Sequence, residues 1–81
     1  MSKQQILDRI KTDLDLTEEQ VDRDFNVKEN GHGCQVKLGY NVWLDYRQWT
    51  RLLILMAELG AKHEDNSHIF EVPAFFLEAP L

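Results

Sequence analysis

The sequence has one cysteine, Cys34, so no disulfide can close within the chain, which fits a reducing compartment. It has no long apolar run either. The longest, Leu52 to Ala57, falls far short of the roughly 20 residues a membrane-spanning helix needs, so no membrane contact is expected. Behind the opening Met1-Ser-Lys-Gln-Gln5 there is no apolar core of a signal peptide. A cytoplasmic location is the expectation. Basic side chains are few and scattered, nine Lys and Arg against fourteen Asp and Glu, for a formal net charge of −5. Gripping a phosphate backbone takes clustered Lys and Arg, so direct nucleic-acid binding is not expected. No nucleophile elbow, phosphate-cradling glycine loop or His-Glu-x-x-His pair occurs, and no cofactor is implied. These absences point away from an enzyme.

What is present is an ordinary globular composition, 43% apolar and 28% charged, in 81 residues. That length reads as one domain, 1–81, which can bury only about 60 to 65% of its unfolded surface and gains from a partner or a second copy. The fold class expected is α+β, with an antiparallel sheet of about three strands.

Three capping boxes mark helix starts, each a cap residue answered three positions on by Gln: Ser2 with Gln5, Thr17 with Gln20, and Asp45 with Gln48. After Ser2, the residues Ile6, Leu7, Ile10 and Leu14 recur at helical spacing, and the helix is expected to stop near Leu14 or Asp15, where Asp13 and Asp15 oppose the negative end of the helix dipole. After Thr17 a short helix from Glu18 to about Asp24 is expected. The words around it occur before calcium loops, but the loop chemistry fails: the sixth position from Asp24 is Glu29 where glycine is required, and the twelfth from Asn26 is Lys37 where glutamate is required.

From Phe25 the period becomes alternating. Val27 lies in one strand, and Cys34, Val36, Leu38, Tyr40 and Val42 share one face of a longer one, with Gln35, Lys37 and Asn41 facing solvent. Asn30-Gly31 between them is a type I′ hairpin signal, and Gly33 also permits a looser loop. Gly39 marks either a second turn or a bulge.

The third helix has the strongest signals in the chain. Asp45 caps it, Leu44 can staple to Trp49, and Gly60 ends it in the left-handed conformation. Trp49, Leu52, Leu53, Met56 and Leu59 form its stripe, and Ile54 with Leu55 widen that stripe, predicting burial on more than one side. A polar loop follows. His68 to Val72 then reads as a strand, with Phe70 and Val72 inward and Ile69 and Glu71 outward. An apolar tail closes the sequence.

The candidate sites are of three kinds. Large aromatics are numerous for so small a domain, and Trp, Tyr and Arg dominate binding hot spots, so Tyr46, Arg47 and Arg51 on the third helix with Phe75, Phe76 and Leu77 in the tail form a candidate protein-binding set. Trp43 and Trp49 are also readable as core, and for Trp49 its place in the helical stripe favours that reading. The acids Asp13, Asp15, Glu18, Glu19 and Asp22 form a candidate contact surface for a basic partner, and the same carboxylates could imitate nucleic-acid phosphates in an inhibitor of a DNA- or RNA-binding protein. His32, Cys34, His63 and His68 are donors a zinc-stabilised domain would use, although the His32 to Cys34 gap is shorter than usual. Cys34 as a nucleophile beside His32 or His68 would need an electropositive site, and its phase with Val36 and Leu38 favours a buried, inert thiol.

Weighed together, these readings describe a small acidic, non-enzymatic protein-binding module that acts stoichiometrically on a larger partner as an inhibitor or adaptor. In size and charge it resembles the small acidic inhibitors that phages encode, without a shared motif.

Overall fold

The computed structural model describes residues 2–31, 33–63 and 68–73, with the side chain of Asn30 excepted. In chain order these form α1 (Lys3–Leu14), α2 (Glu18–Asp24), β1 (Phe25–Asn30), β2 (Gly33–Leu38), α3 (Tyr46–Glu58), β3 (Lys62–His63) and β4 (Ile69–Pro73). The class is α+β, with three helices and a four-stranded antiparallel sheet in the order β1-β2-β4-β3.

Each helix begins where its capping box stands. The Ser2 hydroxyl accepts from the Gln5 N–H at 3.2 Å while the Ser2 N–H donates to Gln5 Oε1 at 2.7 Å. Thr17 and Gln20 repeat the exchange for α2, and Asp45 and Gln48 for α3. Two of the amide groups each helix start leaves unpaired are thereby satisfied. The α1 helix stops at Leu14 because Asp15 takes the left-handed conformation, φ 55° and ψ 49°, and turns its N–H back onto the Lys11 and Thr12 carbonyls. The α2 helix has no such stop. Phe25 is already extended, and the chain runs straight from helix into β1.

The sheet has one dry face and one wet face. Phe25, Val27, Cys34, Val36, Leu38, Phe70 and Val72 are all buried on the first, together with Ile6, Ile10 and Leu14 of α1 and Leu52, Leu55 and Met56 of α3. Both longer helices therefore lie over the same face, side by side. On the other face Asn26 pairs with Lys37, Lys28 with Gln35, and Gln35 with Glu71, so a polar ladder meets solvent. The inward Phe70 and Val72 and the outward Glu71 are as the alternation of β4 requires.

Four local expectations are corrected. Asn30 is not a central residue of the hairpin turn: it still pairs with Gly33 as the last residue of β1. The strand does not continue to Val42. The Gly39 N–H turns to the Asp24 carbonyl at 2.8 Å, and the Val42 N–H to the Gly39 carbonyl at 3.3 Å, so the chain leaves the sheet through a turn. A fourth strand appears at Lys62–His63, within a stretch that reads as polar loop, because β4 has a free edge and two exposed residues suffice to pair with it. Finally, α3 is buried on one side only, for Leu53 is 49% and Ile54 55% exposed. The stripe that meets the core is Leu52, Leu55, Met56 and Leu59, spaced three, one and three residues apart, and it excludes both of them. Among the described residues no helix is long and apolar enough to cross a membrane.

Candidate functional site

The connector between β2 and α3, together with the first residue of α3, holds the most exposed aromatic side chains of the described residues. Tyr40 is 85% exposed, Trp43 80% and Tyr46 88%. Local structure makes the arrangement. The turn closed by Gly39 and Val42 lifts Tyr40 off the sheet, Val42 and Leu44 go to the core, and Trp43 between them is left outside. Asp45 then caps α3, which places Tyr46 on its first turn, pointing away from the buried stripe. Trp43 is therefore a surface residue, whereas Trp49 packs half-buried against the core.

Under this aromatic ridge runs a groove of about 710 Å³, with Leu16, Gln20 and Asp24 on one wall and Asn41 to Asp45 on the other. Its polar groups are largely engaged. Arg23 holds Asp24 through two contacts, Nε to Oδ1 at 3.0 Å and Nη2 to Oδ2 at 3.1 Å, and Asp24 in turn pushes the Arg23 guanidinium pKa up from its ordinary value. Lys37 Nζ lies 6.0 Å from the centre of the Tyr40 ring, and the His68 ring is tilted against Tyr40 at 6.1 Å. Tyr40 is thus braced on one side and open on the other.

The candidate binding residues of α3 separate. Tyr46 and Arg47 are exposed, but Arg51 is half-buried and donates to the Asp13 carbonyl at 3.1 Å, closing the end of α1. Phe75, Phe76 and Leu77 lie outside the described residues. The strand alternation places Tyr40 on the inward face and Trp43 is readable as core; the structure corrects both, because the turn after Gly39 takes the chain out of the sheet. The signal that could have singled them out is the outward phase of Trp43 between Val42 and Leu44.

The acids also divide. Asp13 is half-buried and paired with Arg9 at 3.2 Å, while Glu58 meets the same guanidinium at 3.0 Å, and both raise the Arg9 pKa. Asp15, Glu18, Glu19 and Asp22 are exposed, three of them on α2, whereas the α2 acid that lines the groove is Asp24, which is held by Arg23.

The donors considered for metal are dispersed. Cys34 lies in the core opposite Val72, and burial with the nearby Glu29 carboxylate pushes its thiol pKa up, which favours the unreactive protonated form. His63 sits on the edge strand, stacked on Phe70 with ring centres 4.4 Å apart. His68 stands against Tyr40, and His32 lies outside the described residues. Among the described residues, no three or more His, Cys, Asp and Glu gather as a metal site would require.

No family model, curated protein or solved structure matches this chain.

Proposed function

We propose that this domain is a small acidic, non-enzymatic protein-binding module of the cytoplasm that docks a larger partner on the Tyr40, Trp43 and Tyr46 ridge and acts stoichiometrically, as an inhibitor or adaptor. The observation that carries this reading is the exposure of three large aromatic side chains within seven residues, beside a groove. Aromatic surface of this kind is costly to leave wet, and Trp and Tyr are the residues that anchor the centres of protein interfaces. The exposed acids of α2, Glu18, Glu19 and Asp22, favour a partner with basic surface.

The test is affinity capture from the native cell with wild-type protein and with the double variant Tyr40→Ala/Trp43→Ala, followed by calorimetric titration of whatever protein is recovered. Both substituted residues are exposed, so the variant keeps its fold, and binding to the partner is expected to fall at least about a hundredfold. Undiminished binding by the double variant would remove the ridge from the proposal.

The exposed Glu18, Glu19 and Asp22 carry a second reading, in which the carboxylates occupy the basic channel of a nucleic-acid-binding protein. It predicts binding that weakens steeply with salt and competes with DNA or RNA, where aromatic docking predicts a shallow salt dependence.

A further inference from the structure

The outer face of α3 is a second surface, distinct from the groove, and its pattern specifies an occupant. Tyr46, Thr50, Leu53 and Ala57 recur at spacings of four, three and four residues, and all are exposed. At about 100° per residue they fall within a stripe roughly 60° wide, directed away from the buried stripe of Leu52, Leu55, Met56 and Leu59. This is the a/d spacing of a helix seam that lacks its partner. Ile54, 55% exposed, widens it on the side that also carries Arg47 and Glu58.

We propose that this seam takes the α3 helix of a second copy of the chain, antiparallel and about a twofold axis. Size complementarity supports the pairing. With the axis between Thr50 and Leu53, the large Tyr46 of each copy lies over the small Ala57 of the other, and Thr50 faces Leu53. Charge supports it independently. The first turn of α3 holds no acidic residue and its last turn no basic one, and Arg47 sits in that first turn, where the helix dipole is unfavourable to a cation. An antiparallel copy reverses this. Arg47 then lies beside Glu58 of the other copy, whose Oε2 already meets Arg9 at 3.0 Å, and near the negative end of its helix, on the same flank of the seam, and the contact occurs twice. Ile54 covers the methylene stem of the opposing Arg47. A parallel pair would instead leave Arg47 and Glu58 of the two copies about 16 Å apart along the helices, so this contact belongs to the antiparallel direction.

A single helix face buries less than the roughly 800 Å² per partner of a standard interface, which places the dimer among small, reversible interfaces. It takes Tyr46 out of the aromatic ridge and leaves Tyr40 and Trp43 of each copy outside the seam.

Sedimentation equilibrium of the full chain over about 5 to 500 µM tests the pairing, with circular dichroism reporting the fold. The wild type is expected to show a monomer–dimer equilibrium, and Leu53→Glu, at an exposed position, to weaken it at least about tenfold with unchanged circular dichroism. Direction is read by mild oxidation of Tyr46→Cys and Ala57→Cys, each in a Cys34→Ala background. Mixed, they should cross-link to each other; alone, neither should, because like positions lie about 16 Å apart along the helices. A wild type that is monomeric throughout overturns the proposal. So does a chain ended after Pro73 that dimerises where the full chain does not, because the tail then occupies the seam. Cross-linking of Tyr46→Cys to itself in preference to the mixture overturns the antiparallel arrangement.

Discussion

The Gln48 side chain donates from Nε2 to the Leu14 carbonyl at 3.2 Å while its Oε1 accepts from the Asp45 N–H at 3.1 Å, so one amide closes the start of α3 and the end of α1. The two uses can be separated. Glutamate at this position retains the acceptor of the capping box but has no donor for Leu14, and it sets a carboxylate against a carbonyl at the negative end of α1. Gln48→Glu is expected to cost about 1–2 kcal/mol, seen as a lower urea midpoint at unchanged slope. A midpoint equal to that of the wild type would mean that the link between the helices contributes nothing.

Arg51 and Arg47 differ in the same way, although both stand on the first half of α3. Arg51 donates to the Asp13 carbonyl, and Arg47 is exposed. Arg51→Ala is expected to lose about 1–2 kcal/mol of stability, with Arg47→Ala within about 0.5 kcal/mol of the wild type. Equal effects in chemical denaturation would show that Arg51 is not the clasp on α1 that its geometry indicates.

Asp15 carries two penalties at once. It holds a left-handed backbone at φ 55°, where a Cβ is strained, and it places a negative charge at the negative end of α1. Asp15→Asn removes the charge and Asp15→Gly removes both, so each is expected to stabilise, by about 0.3 and about 0.5–1 kcal/mol respectively. Thermal midpoints rising in that order are the expected result; a fall for Asp15→Gly would count against the strain.

How far the sequence discloses this structure depends on whether the signal is local. The capping boxes of Ser2, Thr17 and Asp45 are satisfied within four residues, so the helix starts are legible without knowledge of the fold. The alternation of Phe70 and Val72 against Glu71 is local too. Lys62–His63 is not, because two exposed residues become a strand only when β4 presents an edge to them. Leu53 and Ile54 mislead for the opposite reason. Hydrophobicity marks them for the core, but the rotation of α3 is fixed by its neighbours α1 and the sheet, and it leaves both outside. The aromatic ridge is half legible: the residue types are conspicuous, whereas the outward placement of Tyr40 follows from the turn at Gly39 to Val42.

Cys34 gives a pH dependence whose sign is fixed by its surroundings. Burial and the Glu29 carboxylate hold the thiol pKa above its ordinary value, so the folded state binds the proton more tightly than the unfolded chain does. The resulting stability is complete below the unfolded pKa of about 8.5 and is lost as pH rises through the higher folded value. Stability of the wild type should therefore decline above about pH 8.5 more steeply than that of Cys34→Ala, after the constant cost of the smaller side chain is subtracted. The thiol should also react with Ellman's reagent far more slowly in the native protein than in urea. Prompt native labelling would contradict a core position.

The two tryptophans offer a direct reading of the ridge, because one is exposed and the other packs against the core. Trp49→Phe leaves only Trp43, whose emission should resemble that of tryptophan in water and should be quenched freely by iodide. Trp43→Phe leaves Trp49, half-buried, with emission shifted to the blue and lower access to the quencher. A partner that docks on the ridge should then shift Trp43 to the blue and shield it from iodide, while Trp49 responds little. Dimerisation through the α3 seam should move neither strongly, since both residues lie outside the Tyr46, Thr50, Leu53 and Ala57 stripe. A partner that shifts Trp49 alone would place its contact away from the connector and overturn the ridge as the docking site.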